Sequence, residues 1–145
     1  MNTRNVFDEI LAGRAPVSLV YQDDLVAAFM DIQPVNPGHV LVVPKKCAQF
    51  LWELDNETSA RLFGVGRKVA QAIRDSGLQC EGINLFVADG AAAGQEVPHV
   101  HLHVFPRYRG DGFGLQFADR YFELPLRSQL DDAATKIRNA LDEEI

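Results

Sequence analysis

Between Pro98 and Pro106 the chain reads His99-Val100-His101-Leu102-His103-Val104-Phe105, with histidine and aliphatic side chains alternating at period two. In a pleated strand, residues i, i+2 and i+4 share a face. The spacing therefore predicts a strand over 98–105, with His99, His101 and His103 as an exposed ridge and Val100, Leu102 and Val104 turned to a core. The chain holds only four histidines, and the fourth, His39, lies in a second strand-like run, Pro37-Gly38-His39-Val40-Leu41-Val42-Val43-Pro44. Imidazole titrates near neutrality, so such a cluster can supply a neutral nucleophile, a cationic partner for an anion, or metal ligands.

The 145 residues suit one compact domain over 1–145, and 47% hydrophobic with 23% charged residues is an ordinary globular composition. A net charge of −6 argues against a nucleic-acid binder, whose affinity comes from a basic surface. Local positive charge is still available from Lys45, Lys46, Arg107 and Arg109, close in sequence to the histidine-bearing strands. Cys47 and Cys80 lack CxxC spacing and form no disulfide framework, which suits a reducing compartment. The start carries no apolar leader segment, and no apolar run reaches the ~18–20 residues that cross a bilayer, so a cytoplasmic location without membrane partners is expected.

Apolar spacing predicts a short opening helix through Val6, Phe7, Ile10 and Leu11, capped by Thr3 and stopped by Gly13 and Pro16. Val17–Tyr21 and Leu25–Met30 read as a hairpin across Gln22-Asp23-Asp24, and His39–Val43 as a strand ended by Pro44. A long helix follows, capped by Asp55 or Asn56, with Leu62, Val65, Val69 and Ile73 as its buried stripe and Gly77 as its left-handed close. Ile83–Val87 and the histidine strand suggest a second hairpin, interrupted by the 90–94 loop. Gly110, Gly112 and Gly114 mark irregular chain, and a terminal helix carrying Leu130, Ile137 and Leu141 starts near Ser128. The order fits an α+β fold with a mainly antiparallel five-stranded sheet packed by the long helix.

Strand residues two apart lie about 6.5–7 Å apart, so one histidine can attack a phosphorus while its neighbour reaches an oxygen of the same phosphate. His101, with a partner on each side, is placed for attack; His103 would bind phosphate or pass a proton to the leaving group, and His99 would hold the arrangement. Gly90 and Gly94 let the preceding loop approach a ligand closely with its N–H groups. A zinc or copper site on the His-x-His-x-His strand is the rival reading, with Glu96 the one further ligand nearby. Asp131, Asp132 and Asp142-Glu143-Glu144 read as solvated helix charges, and Phe7, Phe29 and Met30 as core.

His99-Val100-His101-Leu102-His103-Val104-Phe105, preceded by Ala93-Gly94-Gln95-Glu96-Val97, strongly resembles the histidine-triad family of nucleotide hydrolases and transferases, whose pattern is His-φ-His-φ-His-φ-φ with φ apolar. The resemblance extends through Phe7–Ile32, Pro37-Gly38-His39-Val40 and Pro106-Arg107, roughly residues 5–110, leaving 111–145 as an extension with the terminal helix. It implies a homodimer whose sheets join, and attack by His101 on the α-phosphate of a nucleotide derivative, followed by hydrolysis of the nucleotidyl-histidine. It requires neither metal nor cofactor.

By the same resemblance Asp31 binds the ribose hydroxyls. Val6, Phe7, Ile10, Phe29, Met30 and Ile32 line the base pocket, Gln95, Glu96 and Val97 approach the phosphate or leaving group, and His39 supports the site. The chain departs from the family at Ala88, where Asn or Gln is common, and at Glu96, where Ser or Thr is common. His103 in third place, where the transferase branch has glutamine, favours the hydrolase branches. The resulting expectation is a hydrolase of purine nucleoside phosphoramidates or dinucleoside polyphosphates. The alternatives are a non-catalytic nucleotide-binding adaptor of the same fold and a metal-binding protein.

Overall fold

Helix α1 (Val6–Leu11) starts where Asn5 satisfies its first N–H groups. The Asn5 Oδ1 accepts from the N–H of Phe7 at 2.9 Å and of Asp8 at 3.2 Å, and the Asp8 carboxylate accepts from the Asn5 N–H at 3.0 Å. The cap is therefore Asn5; Thr3, the expected one, lies outside the residues that this computed structural model describes, 4–141. Strands β1 (Leu19–Gln22) and β2 (Val26–Met30) form the expected hairpin. Its turn is closed by Asp23, whose Oδ1 accepts from the N–H of Leu25 and Val26. Arg61 then ties Asp23 and Tyr21 to the long helix, and these bonds hold the Asp23 carboxyl well below the usual range against the opposing effect of its burial.

Strands β3 (Val40–Pro44), β4 (Gly82–Phe86) and β5 (Leu102–Arg107) complete a five-stranded sheet in the order β1-β2-β3-β5-β4, with every pairing antiparallel. This is the α+β architecture expected. Helix α2 (Asn56–Asp75) covers one face: Asp55 caps it by accepting from the Thr58 N–H at 2.7 Å, and Gly77 follows it at φ +84°. Its stripe of Leu62, Val65, Val69 and Ile73 is buried against Val26, Ala28, Val40, Val42, Val100, Leu102 and Val104. Each large aliphatic side chain buried this way contributes about 2 kcal/mol. The other face of the sheet buries Phe7, Ala27, Phe29, Leu41 and Val43, with Ile10, Leu11 and Val97 packed on them.

Two expected strands are displaced. His39 precedes β3, and β5 begins only at Leu102, so His99 and His101 lie in the segment leading into the strand. Pro98 has no N–H to donate, the His99 N–H is taken by the Val97 carbonyl and the Val100 N–H by Ala48, so no ladder forms before Leu102.

The chain divides after Phe113 into two compact units. The second contains a 3-10 turn (Asp119–Phe122) and helix α3 (Arg127–Ala140), which starts one residue before the expected Ser128 and carries no buried residue. Among the described residues, no helix is long and apolar enough to cross a membrane.

Candidate active site

Alternation sorts the histidine segment as the sequence implied: Val100, Leu102 and Val104 join the α2 side, while the three imidazoles lie on the Phe7 side. They are not an exposed ridge. His99 is wholly buried and His101 is 6% exposed, because the Phe7 ring packs edge-on against both, with centroids at 5.8 and 5.2 Å. The His101 and His103 rings are neighbours at 4.8 Å.

Each ring has a tautomer dictated by its partner. A carbonyl can only accept, so His99 Nε2–H donates to the Pro44 carbonyl at 2.8 Å and His101 Nδ1–H donates to the His99 carbonyl at 2.7 Å. In neutral His101 the lone pair is then on Nε2. On the other side, the Val35 backbone N–H donates to His39 Nδ1 at 3.0 Å, which puts the His39 proton on Nε2. That proton is donated to His103 Nδ1 at 2.9 Å, so neutral His103 carries its own proton on Nε2. The site thus sets a lone pair on His101 beside an N–H on His103.

Burial pushes the pKa of His103 down to about 4, helped by His101 and His39; His39 and His99 are lowered mainly by burial too, with Asp31 and Asp8 respectively opposing the shift. Asp31 sits at the end of β2, its N–H on the His39 carbonyl, Oδ1 accepting from the Gln33 N–H, and Oδ2 3.6 Å from His39 Nε2.

The HIT domain family matches residues 12–110. The chain belongs to the HIT family. An uncharacterised HIT-like protein of Borreliella burgdorferi is 43% identical over 77% of this chain and 81% of its own length. The crystal structure of a HIT family member from Bacillus subtilis superposes with a TM-score of 0.86 at 36% identity, covering 96% of this chain and 98% of that one. An asymmetrical bis(5'-nucleosyl)-tetraphosphatase of Schizosaccharomyces pombe is 41% identical over 63% of this chain and 50% of its own length.

In this HIT protein the residues expected around a nucleotide divide. Phe7, Phe29, Ile10 and Val97 share the triad face, whereas Met30, next to Phe29 in β2, points to the α2 side because successive strand residues alternate, so it does not line the same wall. Ile32 is 97% exposed and Val6 half exposed. The Gln95 amide is spent inside the loop: its oxygen accepts from the Gly90 N–H at 2.8 Å and its nitrogen donates to the carbonyls of Gln49 and Val97. Gln95 therefore shapes the loop between Gly90 (φ +96°) and Gly94 (φ +89°), around the turn Ala91–Ala93. Glu96 is exposed and Ala88 buried. Arg107 is engaged by Asp111, Asn84 and the Phe113 carbonyl, so its charge is not free for a ligand.

No group of three or more cation-binding atoms among the described residues contains two triad histidines, so the geometry does not support the rival reading of a metal on the His-x-His-x-His strand. Two other groups do come together: Asp8, Cys47 and His99, and Asp31, His39 and His103. In the second, the facing nitrogens of His39 and His103 are bonded to each other. In the first, His99 Nδ1 is a buried lone pair with no hydrogen-bond partner, 3.8 Å from Asp8 Oδ1. Asp8, Cys47, Val35 and Asn36 were not legible as site residues. The turn-rich Pro34-Val35-Asn36-Pro37-Gly38 was the one available signal.

Proposed function

We propose that this HIT protein hydrolyses purine nucleotide derivatives at the α-phosphate through a covalent intermediate on His101. The observation that carries the reading is the fixed tautomer pair, a lone pair on His101 Nε2 beside an N–H on a neutral His103. His101 Nε2 attacks phosphorus, the bond from phosphorus to the leaving group breaks, and the leaving group departs with that electron pair and takes up a proton. Water then attacks phosphorus, passing a proton to the His103 Nε2 that protonated the leaving group, the phosphorus–nitrogen bond breaks with its electron pair returning to His101 Nε2, and the nucleoside monophosphate leaves. His103 Nε2–H stabilises the charge developing on a phosphate oxygen or protonates the leaving group. His99 holds His101 by its carbonyl, Asp31 takes the ribose hydroxyls, and Phe7, Phe29, Ile10 and Ile32 form the base side.

Charge supports one choice of leaving group. An exposed carboxylate at Glu96, beside the loop that precedes the triad, disfavours a polyphosphate and favours an amine, so nucleoside phosphoramidates are the preferred substrates and dinucleoside polyphosphates the poorer ones. The exposed Leu85 and Phe86 of the edge strand β4 support a homodimer joined there, and the cytoplasmic location expected from composition belongs to the same reading.

Intact-protein mass spectrometry after brief mixing with an adenosine phosphoramidate tests the chemistry. The wild type gains one adenylyl group and His101→Ala none, while His101→Ala still binds AMP and its steady-state turnover is lost. Turnover unaffected by His101→Ala would end the covalent mechanism, and absence of turnover on both substrate classes would favour the non-catalytic adaptor.

The orphaned His99 Nδ1 favours one further reading: Asp8, Cys47 and His99 hold a divalent cation of the zinc class. The cation would fix His99, and with it the carbonyl that orients His101. Metal analysis of tag-free protein, wild type beside Asp8→Ala, tests it; metal-free wild type overturns it.

A further inference from the structure

The Val35 N–H sets the tautomers of His39 and His103, and its own position depends on Asn36. Asn36 is buried, and its side-chain nitrogen donates to the Pro106 carbonyl and to Asp111 Oδ2, both at 2.9 Å. Its backbone carbonyl accepts from the His39 N–H at 3.1 Å. One residue thus ties the turn to the end of β5 and to the ring that the turn addresses. Asp111 is held in turn by a two-pronged bond from Arg107, Nε to Oδ2 at 2.6 Å and Nη2 to Oδ1 at 3.0 Å, and by the N–H groups of Tyr108 and Phe113.

Gly38 completes the turn. Its φ of +103° is one that L side chains rarely adopt, and Leu78 Cδ1 and Pro106 Cγ lie 2.9 and 3.3 Å from where a Cβ would stand, so the turn favours glycine here.

We propose that Asn36, braced by Asp111 and Arg107, is a positioning residue that fixes the His39 and His103 tautomers through the Val35 N–H, so that His103 always presents its Nε2–H to the reaction centre. Only one proton arrangement satisfies both hydrogen bonds. With Nδ1 accepting from Val35, His39 must carry its proton on Nε2, and His103 Nδ1 must accept it. If the turn drifts and Val35 withdraws, His39 can move its proton to Nδ1. Nε2 then becomes an acceptor, and His103 turns to the Nδ1–H tautomer, leaving a lone pair where the phosphate needs a donor. The wrong tautomer of a fixed histidine costs orders of magnitude in rate.

Four histidines make the test tractable. Long-range proton–nitrogen spectra of the imidazoles report each tautomer without any substrate. Wild type shows Nε2–H for His39 and His103 and Nδ1–H for His101. Asn36→Ala and Asp111→Ala shift His39 and His103 toward Nδ1–H and lower kcat about tenfold or more, with KM little changed. Asp111→Asn, which keeps an acceptor oxygen for Asn36, restores the wild-type pattern. Leu62→Ala, on the far face, lowers stability and leaves the tautomers alone, which separates positioning from mere loosening.

Wild-type tautomers, unchanged in a folded Asn36→Ala or Asp111→Ala, would overturn the proposal, as would a different pattern in the wild type itself. The kinetic arm rests on the proposed hydrolysis. If no substrate turns over, that reading fails, while the spectra alone decide whether Asn36 sets the tautomers.

Discussion

His99 performs two tasks with two different atoms, a ring N–H on Pro44 that anchors it and a backbone carbonyl that orients His101, so the first histidine of the motif acts mainly through its backbone. Phe7 packs against His99, His101 and Phe29 at once. Truncating a buried aromatic leaves a cavity, so Phe7→Ala should cost about 3–5 kcal/mol in a urea melt and cut turnover more than its stability loss alone explains, because both rings lose a wall. At Glu96 the effect is electrostatic: Glu96→Gln should raise the ratio of tetraphosphate to phosphoramidate kcat/KM about threefold or more at low salt and less at high salt, read by paired steady-state assays. An unchanged ratio would remove Glu96 from leaving-group selection.

Two helical glycines separate propensity from packing. A Cβ at Gly64 meets nothing within 4 Å, whereas one at Gly66 would lie 2.5 Å from Leu102 Cδ2 in the core beneath α2. Gly64→Ala should therefore stabilise the protein by up to ~1 kcal/mol, the ordinary helix preference for alanine. Gly66→Ala gains the same preference but overpacks the core at a cost of about 1–3 kcal/mol, so its net effect should be zero or destabilising. Thermal melts of the two variants check the contrast, and a stabilised Gly66→Ala would show that Leu102 has room to move. The close approach lies against Leu102, which precedes His103 in β5 and faces α2.

Over the whole molecule, burial, complete or partial, holds His39, His99 and His103 toward their neutral forms, and this makes the fold sensitive to acid. The pKa of His103 is about 4 in the fold against 6.5 for the free side chain, with His39 and His99 lowered in the same direction. Between those values the unfolded chain binds protons that the native state refuses, so stability is fully present above pH 6.5 and falls as the pH drops toward 4. Asp23 and Asp111, both held low by their hydrogen bonds, contribute stability above the ordinary carboxylate value of 3.8 that is lost only at still lower pH. Urea midpoints at pH 8, 6 and 4.5 should fall at each step, with the larger drop between pH 6 and 4.5; a flat profile to pH 4.5 would mean that the histidines are hydrated in solution.

Period-two alternation at 99–105 and the helical stripe Leu62, Val65, Val69, Ile73 determined the sheet, its covering helix and the side on which the imidazoles lie, because both patterns are local and the burial of aliphatic side chains enforces them. The motif around the three histidines also carried the family, and with it the candidate nucleophile. What only the tertiary structure decided was the state of those histidines. Their burial, their tautomers and the withdrawal of Gln95 and Arg107 from any ligand depend on partners such as Pro44, Val35 and Asp111. Most of these are backbone groups, or side chains from distant parts of the chain. A backbone N–H has the same chemistry in every residue but proline, so nothing in the letters around Val35 marks it as the group that orients a ring in the site.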